Sequence, residues 1–440
     1  MNSTNPFSKL EKATPKPASS SSQQPQRLKR EKEDTASASK KGASAGTGGI
    51  STKLASLRTT AINTNSSKLQ LKKRDTTQEK EQRKQAQRDA VDRRQRQQQQ
   101  VLDVFKASFF GAVLNAHAFD ATLQAVKQAL FERDFARAFC DPEHLAVYAA
   151  RWSPTRALCY ASLLGSLHHQ RLLEGIGGGP AELAAFAAFL STQTRLRAWR
   201  EPNEPKRALD DNDPETDTDL FGRITLLDSA PWESVLTTLQ HSLTTPPPLS
   251  KYASAAAKQA TRALIPPSNL TSRFIQHDAL DLGREGLLPL MGKGNKPLLI
   301  TLLFTLNELF TSSGIGKTTK FLLDLTSVVP TGSLLLVVDS PGSYSETSVG
   351  KDKAGGGKKY PMHWLLDRIM LGTQAEPVEG RRWTKLQGHD SGWFRLADTN
   401  TYSEGDTNSL DYPIGLENMR YQMHLYQAED ASVPIKPAAE

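Results

Sequence analysis

Apolar residues are thin over the first hundred positions and then begin to recur at helical spacing. Residues 1 to about 85 are dominated by Ser, Thr, Lys, Gly and Gln and offer too little apolar surface to bury a core, which predicts disorder. The stretch Gln78 to Gln100 has helix propensity but almost no apolar face, and predicts a solvated helix leading inward. Order is expected from Val101, where Val101, Val104, Phe105, Phe109 and Val113 fall on one helical face. Val126, Leu130, Phe131, Phe135 and Phe139 repeat the spacing. EHLAVYAARW and PTRALCYASLLGSLHH follow, the second opening on Ser153-Pro154, a cap followed by a proline in the first turn. Together these predict an all-helical segment, placed where a lid or substrate-positioning layer would sit.

The pattern then changes to short apolar runs alternating with amphipathic ones. Arg171 to Leu183 reads RLLEGIGGGPAEL: Leu172 and Leu173 lead into Gly175, Gly177, Gly178 and Gly179, and Pro180 opens a helix over Ala181 to Leu190. An acidic, proline-containing surface insertion spans Arg200 to Asp219. A second strand, Arg223 to Leu227, ends at Asp228, and Ser229 caps the next helix. Beyond a Pro/Ala/Ser-rich linker at Thr244 to Pro267, a third strand, Arg273 to Gln276, closes on His277 and Asp278. Pro297 to Leu306 is continuously apolar, as a strand buried on both faces should be, and ends in Asn307-Glu308. A helix over Thr318 to Thr326 precedes a strand over Ser333 to Val338 with Asp339 at its end. A helix at His363 to Leu371 and an alternating pair, Gly392–Leu396 and Met419–Tyr426, complete the chain. Five strand-then-helix units plus a terminal antiparallel pair predict a doubly wound α/β sheet that binds ligands past the carboxyl ends of its strands. The expected organisation is a disordered basic tail over 1–100, a helical N-terminal segment over 101–170, and the sheet domain over 171–430.

Charge sharpens this division. Residues 1–100 carry 22 Lys and Arg against 9 Asp and Glu, a net of +13, and the rest of the chain carries 33 against 38, a net of −5. A detached basic arm suits a polyanion such as RNA, or nuclear import, for which Arg27–Lys32 and Lys72–Arg74 are candidate signals. Cys140 and Cys159 have no CxxC spacing, which gives neither a disulfide framework nor a cysteine zinc site and fits a reducing compartment. No apolar run reaches the roughly 18 residues of a membrane span, and MNSTNPFSKLEK lacks the core of a signal peptide.

Two stretches compete for a phosphate-bearing ligand. Gly314 to Lys320, GIGKTTK, ends like a P-loop, and LLLVVDSPG follows it. The opening glycine of that motif is replaced by Thr311, and only 22 residues separate Lys317 from Asp339. The other stretch is the glycine turn. In class I methyltransferases such a turn contacts the methionine part of S-adenosylmethionine, an acid ending the second strand holds the ribose hydroxyls, and an Asp after the third takes the adenine amine. Polar residues ending the fourth strand face the acceptor. Gly177, Gly178, Gly179, Asp228, Asp278 and Asn307 stand in that order.

LLFTLNELF, TTKFLLDLT, GSLLLVVDSPGSYSE, KKYPMHWLLDR, WFRL and YPIGLENMRYQMHLYQ resemble the fungal 25S ribosomal RNA (uridine-N3)-methyltransferases, and RDFARAF and YAARWSPTRALCY are similar to their helical front. The resemblance covers residues 101 to 427. It implies a Rossmann-like class I methyltransferase fold, S-adenosyl-L-methionine as donor and a uridine in large-subunit rRNA, free or in a pre-60S particle, as acceptor. It also implies residence in the nucleus and nucleolus, with room for a cytoplasmic pool. Two positions depart from the usual glycine motif: Gly175 replaces its acid, for which Glu174 is the nearest substitute, and Ala181 replaces its third glycine.

Uracil N3 is weakly acidic and lies on the pairing edge, so the base must be unpaired or extruded and its proton removed. Glu308 and Asp339 are the candidate general bases, and Asn307 a donor to an imide carbonyl. Tyr344 and Trp364 are candidates to stack on the base, and Lys358, Lys359, Tyr360 and Arg420 to hold RNA, with Gly350–Lys359 as a basic closing loop. His277 and His363 are weaker candidates. The alternatives are a catalytically silent methyltransferase fold serving ribosome assembly, and a P-loop NTPase using Lys317.

Overall fold

The computed structural model describes residues 56–111, 116–167, 173–200, 220–247, 249, 251–255, 258, 261–292, 294–341, 346–349, 358–397 and 410–432. The chain divides into two units, 1–77 and 78–440. Of the first, the described part is the opening of a long helix, α1 (Ser56–Phe109), which runs on through the Gln78–Gln100 stretch of the second.

The second unit is built on a seven-stranded sheet. Its strands are β1 (Glu174–Gly177), β2 (Gly222–Asp228), β3 (Leu270–Gln276), β4 (Leu299–Leu303), β5 (Leu334–Asp339), β8 (Arg381–Phe394) and β9 (Met419–Asp430), in the spatial order β3-β2-β1-β4-β5-β9-β8. The first five pair in parallel, and β9 runs antiparallel between β5 and β8. The strand order reverses between β1 and β4, and a ligand crevice opens at such a switch point. A separate ribbon joins β6 (Glu346–Val349) and β7 (Lys358–Pro361). The five parallel units and the terminal antiparallel pair are those the apolar runs predict.

Alternation along the central strands sends side chains into two cores. Leu299, Leu303, Leu334, Leu336 and Val338 face the first, with Val101, Leu102, Phe105 and Phe109 of α1 and the helices α4 (Pro142–Arg151), α5 (Ser153–Ser166), α6 (Pro180–Arg200) and α7 (Glu233–Thr244). Ile300, Leu302, Leu335 and Val337 face the second, with the helices α8 (Ile315–Val328) and α9 (Met362–Gly372). Covering both faces explains why β4 and β5 read as continuous apolar runs. Trp383 closes the second core, buried with its indole donating to Thr326 Oγ1 at 2.8 Å.

The helical front differs from its periodic pattern. The run from Leu123 to Phe139 breaks into α2 (Ala116–Phe131) and α3 (Phe135–Ala138), with Arg133 at φ +57° and Asp134 capping α3 by accepting from the Arg137 N–H. Phe131, the last residue before the break, is 86% exposed, although the apolar pattern placed it on the buried face. The first strand also sits later than Leu172-Leu173, at Glu174–Gly177. Gly175 and Gly177 are therefore strand residues, paired with Ile224 and Leu226. Neither glycine is in the left-handed region. The first is required by close approach, since a Cβ on Gly175 would lie 3.2 Å from the Leu299 carbonyl.

Candidate active site

The carboxyl ends of β1 to β4 open into a cleft of about 350 Å3, continuous with solvent and roofed by α3, α4 and α5. Its floor is the glycine turn. Pro180 and Ala181 begin α6, and Glu182, in the first turn, folds back so that its carboxylate accepts from the Gly179 N–H at 3.2 Å and the Gly178 N–H at 3.4 Å. This is the acid of a capping arrangement: it satisfies backbone donors that the helix start leaves free. Gly177 is glycine because the helix lies so close. A Cβ there would be 3.1 Å from both Glu182 Cβ and Thr301 Oγ1. Burial raises the Glu182 carboxyl to about 7, against the pull of those N–H groups. The carboxylate thus occupies the turn that the sequence left without an acid. Glu174, the expected substitute, lies at the amino end of β1, paired with Arg223 at 2.9 Å and facing a different pocket. That expectation is corrected.

Asp228 ends β2. Its carboxylate accepts from the Ala230 N–H at 2.8 Å and from the Trp232 indole, and burial raises it to about 6. One of its oxygens lies 3.9 Å from where a Cβ on Gly178 would be, so it faces the glycine turn. Asp278 caps a short turn by accepting from the Leu280 N–H at 2.9 Å, and its neighbour Ala279 lines both the cleft and an adjoining apolar pocket of about 60 Å3. That pocket is walled by Leu227, Leu290, Met291 and Phe321 and shares Gly178 and Asp228 with the cleft. A flat base fits the apolar pocket, a hydroxylated sugar fits Asp228, and an amino-acid end fits the glycine turn beside Glu182.

On the opposite wall β4 is followed by Phe304, whose φ of +59° is rare for a bulky side chain. The strain persists because the Phe304 N–H donates to the Val338 carbonyl at 2.7 Å. The ring lies under the Arg156 guanidinium at 4.7 Å. Arg156 comes from α5, donates to the Tyr148 hydroxyl and lies 5.4 Å from that ring. Phe139, Tyr148 and Trp232 form an aromatic group with ring centres 5.0–5.8 Å apart. Glu308 faces this group. Burial, opposed by Arg156 and assisted by Asp339 and Asp228, raises its carboxyl to about 7. A π-helical turn, Leu309–Ser313, follows it and lines the cleft with Ser312 and Ser313; such turns gather at functional sites.

Asp339 stands behind the cleft. It is 2% exposed and accepts from the Asn307 N–H at 2.9 Å and the Ser340 N–H at 2.8 Å, so it ties the end of β5 to the loop carrying Asn307 and Glu308. Burial raises it to about 6. Asn307 meets that carboxylate through its backbone, with its side chain half-buried. His277 lines the cleft, its ring near the Asp278 carbonyl. Tyr360 stacks on half-exposed Trp364 at 4.9 Å, and Arg420 bonds Ser391 at 3.0 Å near exposed Trp393, on the β8–β9 ribbon. Tyr344 and the side chains of Lys358 and Lys359 lie outside the described residues.

Lys317 is exposed, and the helix it begins follows the π-helical turn with no strand before it. A P-loop needs a strand and a loop whose N–H groups surround phosphates, so the nucleotide-hydrolase alternative falls. The residues that spacing missed are Glu182, Tyr148, Arg156, Trp232 and Phe304. Glu182 was signalled by its place three residues into the turn after Gly179. Arg156 was signalled only by a charge at the helical spacing of buried Tyr160.

A family model described as "Putative SAM-dependent methyltransferase" matches residues 105–427. The chain is 28% identical over 357 residues to the 25S rRNA (uridine(2843)-N(3))-methyltransferase of Saccharomyces cerevisiae, covering 74% of this chain and 85% of that protein. Among solved structures, the N-methyltransferase NodS of Bradyrhizobium japonicum WM9 with S-adenosyl-L-homocysteine aligns at TM-score 0.28 and 11% identity, over 70% of this chain and 97% of the other. The 1,6-didemethyltoxoflavin-N1-methyltransferase of Burkholderia thailandensis, with its substrate and S-adenosylhomocysteine, aligns at 0.31 and 9%, over 73% and 93%.

Proposed function

The chain belongs to the S-adenosylmethionine-dependent methyltransferase family whose model it matches over residues 105–427, and from that premise we propose that it methylates N3 of a uridine in large-subunit ribosomal RNA. The observation that carries the reading is Glu308, a half-buried carboxyl beside Arg156 in the cleft, raised to about 7. An imide N–H must lose its proton for N3 to attack, and a base is most effective when it titrates near the working pH. The yeast relative, an rRNA uridine N3-methyltransferase by name, supports the same acceptor.

S-adenosylmethionine supplies an electrophilic methyl group when bound. The protein's part begins with holding it. Glu182 would hold the ammonium of the amino-acid end over the glycine turn, Asp228 would accept from the ribose hydroxyls, and the pocket of Leu227, Leu290 and Met291 would take the adenine beside Asp278. Glu308 takes the N3 proton. The guanidinium of Arg156 and the amide of Asn307 face the uracil oxygens, on which negative charge grows as the proton leaves. Phe139, Tyr148 and Trp232 cover the base and exclude water. Asp339 acts as a positioning residue by fixing the backbone that carries Glu308. Lys358, Lys359, Tyr360, Arg420 and Tyr344 form the outer RNA contact, and the basic 1–100 tail adds phosphate attraction that salt weakens. Nuclear and nucleolar residence, and a pre-60S particle as the working substrate, follow from the same reading.

The test is methylation of large-subunit rRNA with labelled donor, with nucleoside analysis by mass spectrometry and a reverse-transcription stop at the modified base. The expected product is 3-methyluridine at a single position. Label appearing only on ribose or on another base would sink the proposal.

A further inference from the structure

On the far side of β9 from the roofing helices, three metal-ligating side chains come together: His363 from the first turn of α9, Asp390 from β8 and His424 from β9. One ligand atom from each lies within 4.8 Å of the other two. The two imidazoles are nearly parallel, 20° apart with ring centres at 5.7 Å. The methyl-transfer reaction uses none of the three.

His424 has no exposed surface, and its Nδ1 is a buried atom without a hydrogen-bond partner. Its protonation state can be worked out from its neighbours. The Gln422 amide nitrogen donates to the Ser340 carbonyl at 2.7 Å, so the Gln422 oxygen is the atom 3.2 Å from His424 Nε2. An amide oxygen accepts only, so Nε2 carries the hydrogen and Nδ1 carries a lone pair. A buried lone pair facing no donor costs free energy unless something fills it. The amide that fixes the tautomer is the kind of outer partner that orients a metal-bound histidine.

The backbone is shaped to the same end. The pairing of β8 with β9 slips between His389 and Gly392, so Asp390 and Ser391 together face the single residue Gln422. That bulge frees Asp390 from the alternation of the strand and re-aims its carboxylate. Opposite His424 stands Gly388, where a Cβ would come within 3.4 Å of Nδ1. Lys385, a cation whose field bears on His424, is held by both oxygens of Asp367 at 2.8 and 2.9 Å. A second possible group, Cys140, Asp141 and His144, has a simpler account. Asp141 caps α4, and the His144 ring is engaged with the Arg137 carbonyl at 3.1 Å.

The geometry points to a divalent transition-metal site, best suited to zinc, with His363, Asp390 and His424 Nδ1 as protein ligands and an open fourth position. Two imidazoles and a carboxylate are a borderline-hard donor set that suits zinc. Closing each ligand atom by about 1 Å reaches the usual distances of about 2.0–2.2 Å. The site bolts α9 to the β8–β9 ribbon. It would therefore fix the Tyr360–Trp364 stack relative to Arg420 and Trp393.

The experiment uses the full chain stripped of metal by a chelator. Zinc is titrated by calorimetry, and cobalt(II) replaces it for visible spectroscopy. The expected result is one zinc per chain and a cobalt spectrum of a four- or five-coordinate nitrogen and oxygen site. Asp390→Ala, at an exposed position that leaves the core intact, and His424→Ala should each weaken binding by about 100-fold or more. Gln422→Leu, which releases the tautomer, should weaken it by about 10–100-fold, and His389→Ala should change nothing. Failure of the native chain to bind zinc would overturn the assignment, as would Asp390→Ala and His424→Ala binding like the native chain. A thiolate-to-cobalt band, or loss of binding in His144→Ala, would move the site to Cys140 and equally overturn it.

Discussion

At the residue scale the cleft depends on carboxyls that burial keeps partly protonated near neutrality. Glu308 must be ionised to accept the N3 proton, and burial raises it to about 7. Activity should therefore be present above about pH 7 and lost as the pH falls through it. Glu308→Gln should lower kcat by about 100-fold or more and abolish that limb of the pH profile, while donor affinity by calorimetry stays within about threefold. Asp228→Ala should do the reverse. Losing two charge-assisted hydrogen bonds to the ribose at about 1–2 kcal/mol each costs donor affinity on the order of 30–900-fold, read by the same calorimetry. Asp228 and Glu308 were legible in the sequence because each ends an apolar run. Arg156 was not, because it reaches the cleft from α5, ahead of the sheet in sequence, and only the folded chain brings it over Phe304.

Among the elements, contact between α6 and β2 decides how the glycine turn is held. A Cβ on Gly222 would lie 2.2 Å from Leu190 Cδ1 and 3.0 Å from Phe186, both on α6. Gly222→Ala should therefore force the helix or the leucine to shift. It should destabilise the protein by about 1–3 kcal/mol and lower the midpoint of chemical unfolding with the slope unchanged. The central strands β4 and β5 could be read from sequence because strands covered on both faces leave apolar runs, as in Leu299–Leu303 and Leu334–Asp339. The front helices were read less well. Val126, Leu130 and Phe131 belong to one apolar pattern, yet Val126 is buried and Phe131 is exposed at the end of α2, just before the αL residue Arg133. Periodicity carries no mark of that local stop. The first strand was set two residues early for a similar reason: Gly175 and Gly177 look like turn residues, but a sheet neighbour as close as the Leu299 carbonyl makes them strand residues.

The whole molecule gathers two buried and two half-buried acids around the cleft. Glu182 and Glu308 are raised to about 7, and Asp228 and Asp339 to about 6. Each holds its proton in the folded state at a pH where the unfolded chain has released it. Stability is therefore greatest below the unfolded values near 4 and falls as pH rises through the folded ones. His424, lowered to about 4, acts in the opposite sense by losing stability as pH falls below about 6.5. With four acids against one histidine among the described residues, the free protein should lose a few kcal/mol between about pH 5 and pH 7, measured by urea unfolding at fixed ionic strength. The same acids bear on the direction of turnover. The methyl donor carries a sulfonium charge, and the demethylated product does not. Carboxyls that titrate near neutrality would ionise more readily beside that sulfonium than beside the neutral sulfur of the product. Donor binding at pH 7 should release protons, seen as an enthalpy that changes with the buffer, and product binding should release fewer. Equal proton release on binding donor and product would show that these carboxyls do not sense the sulfonium charge.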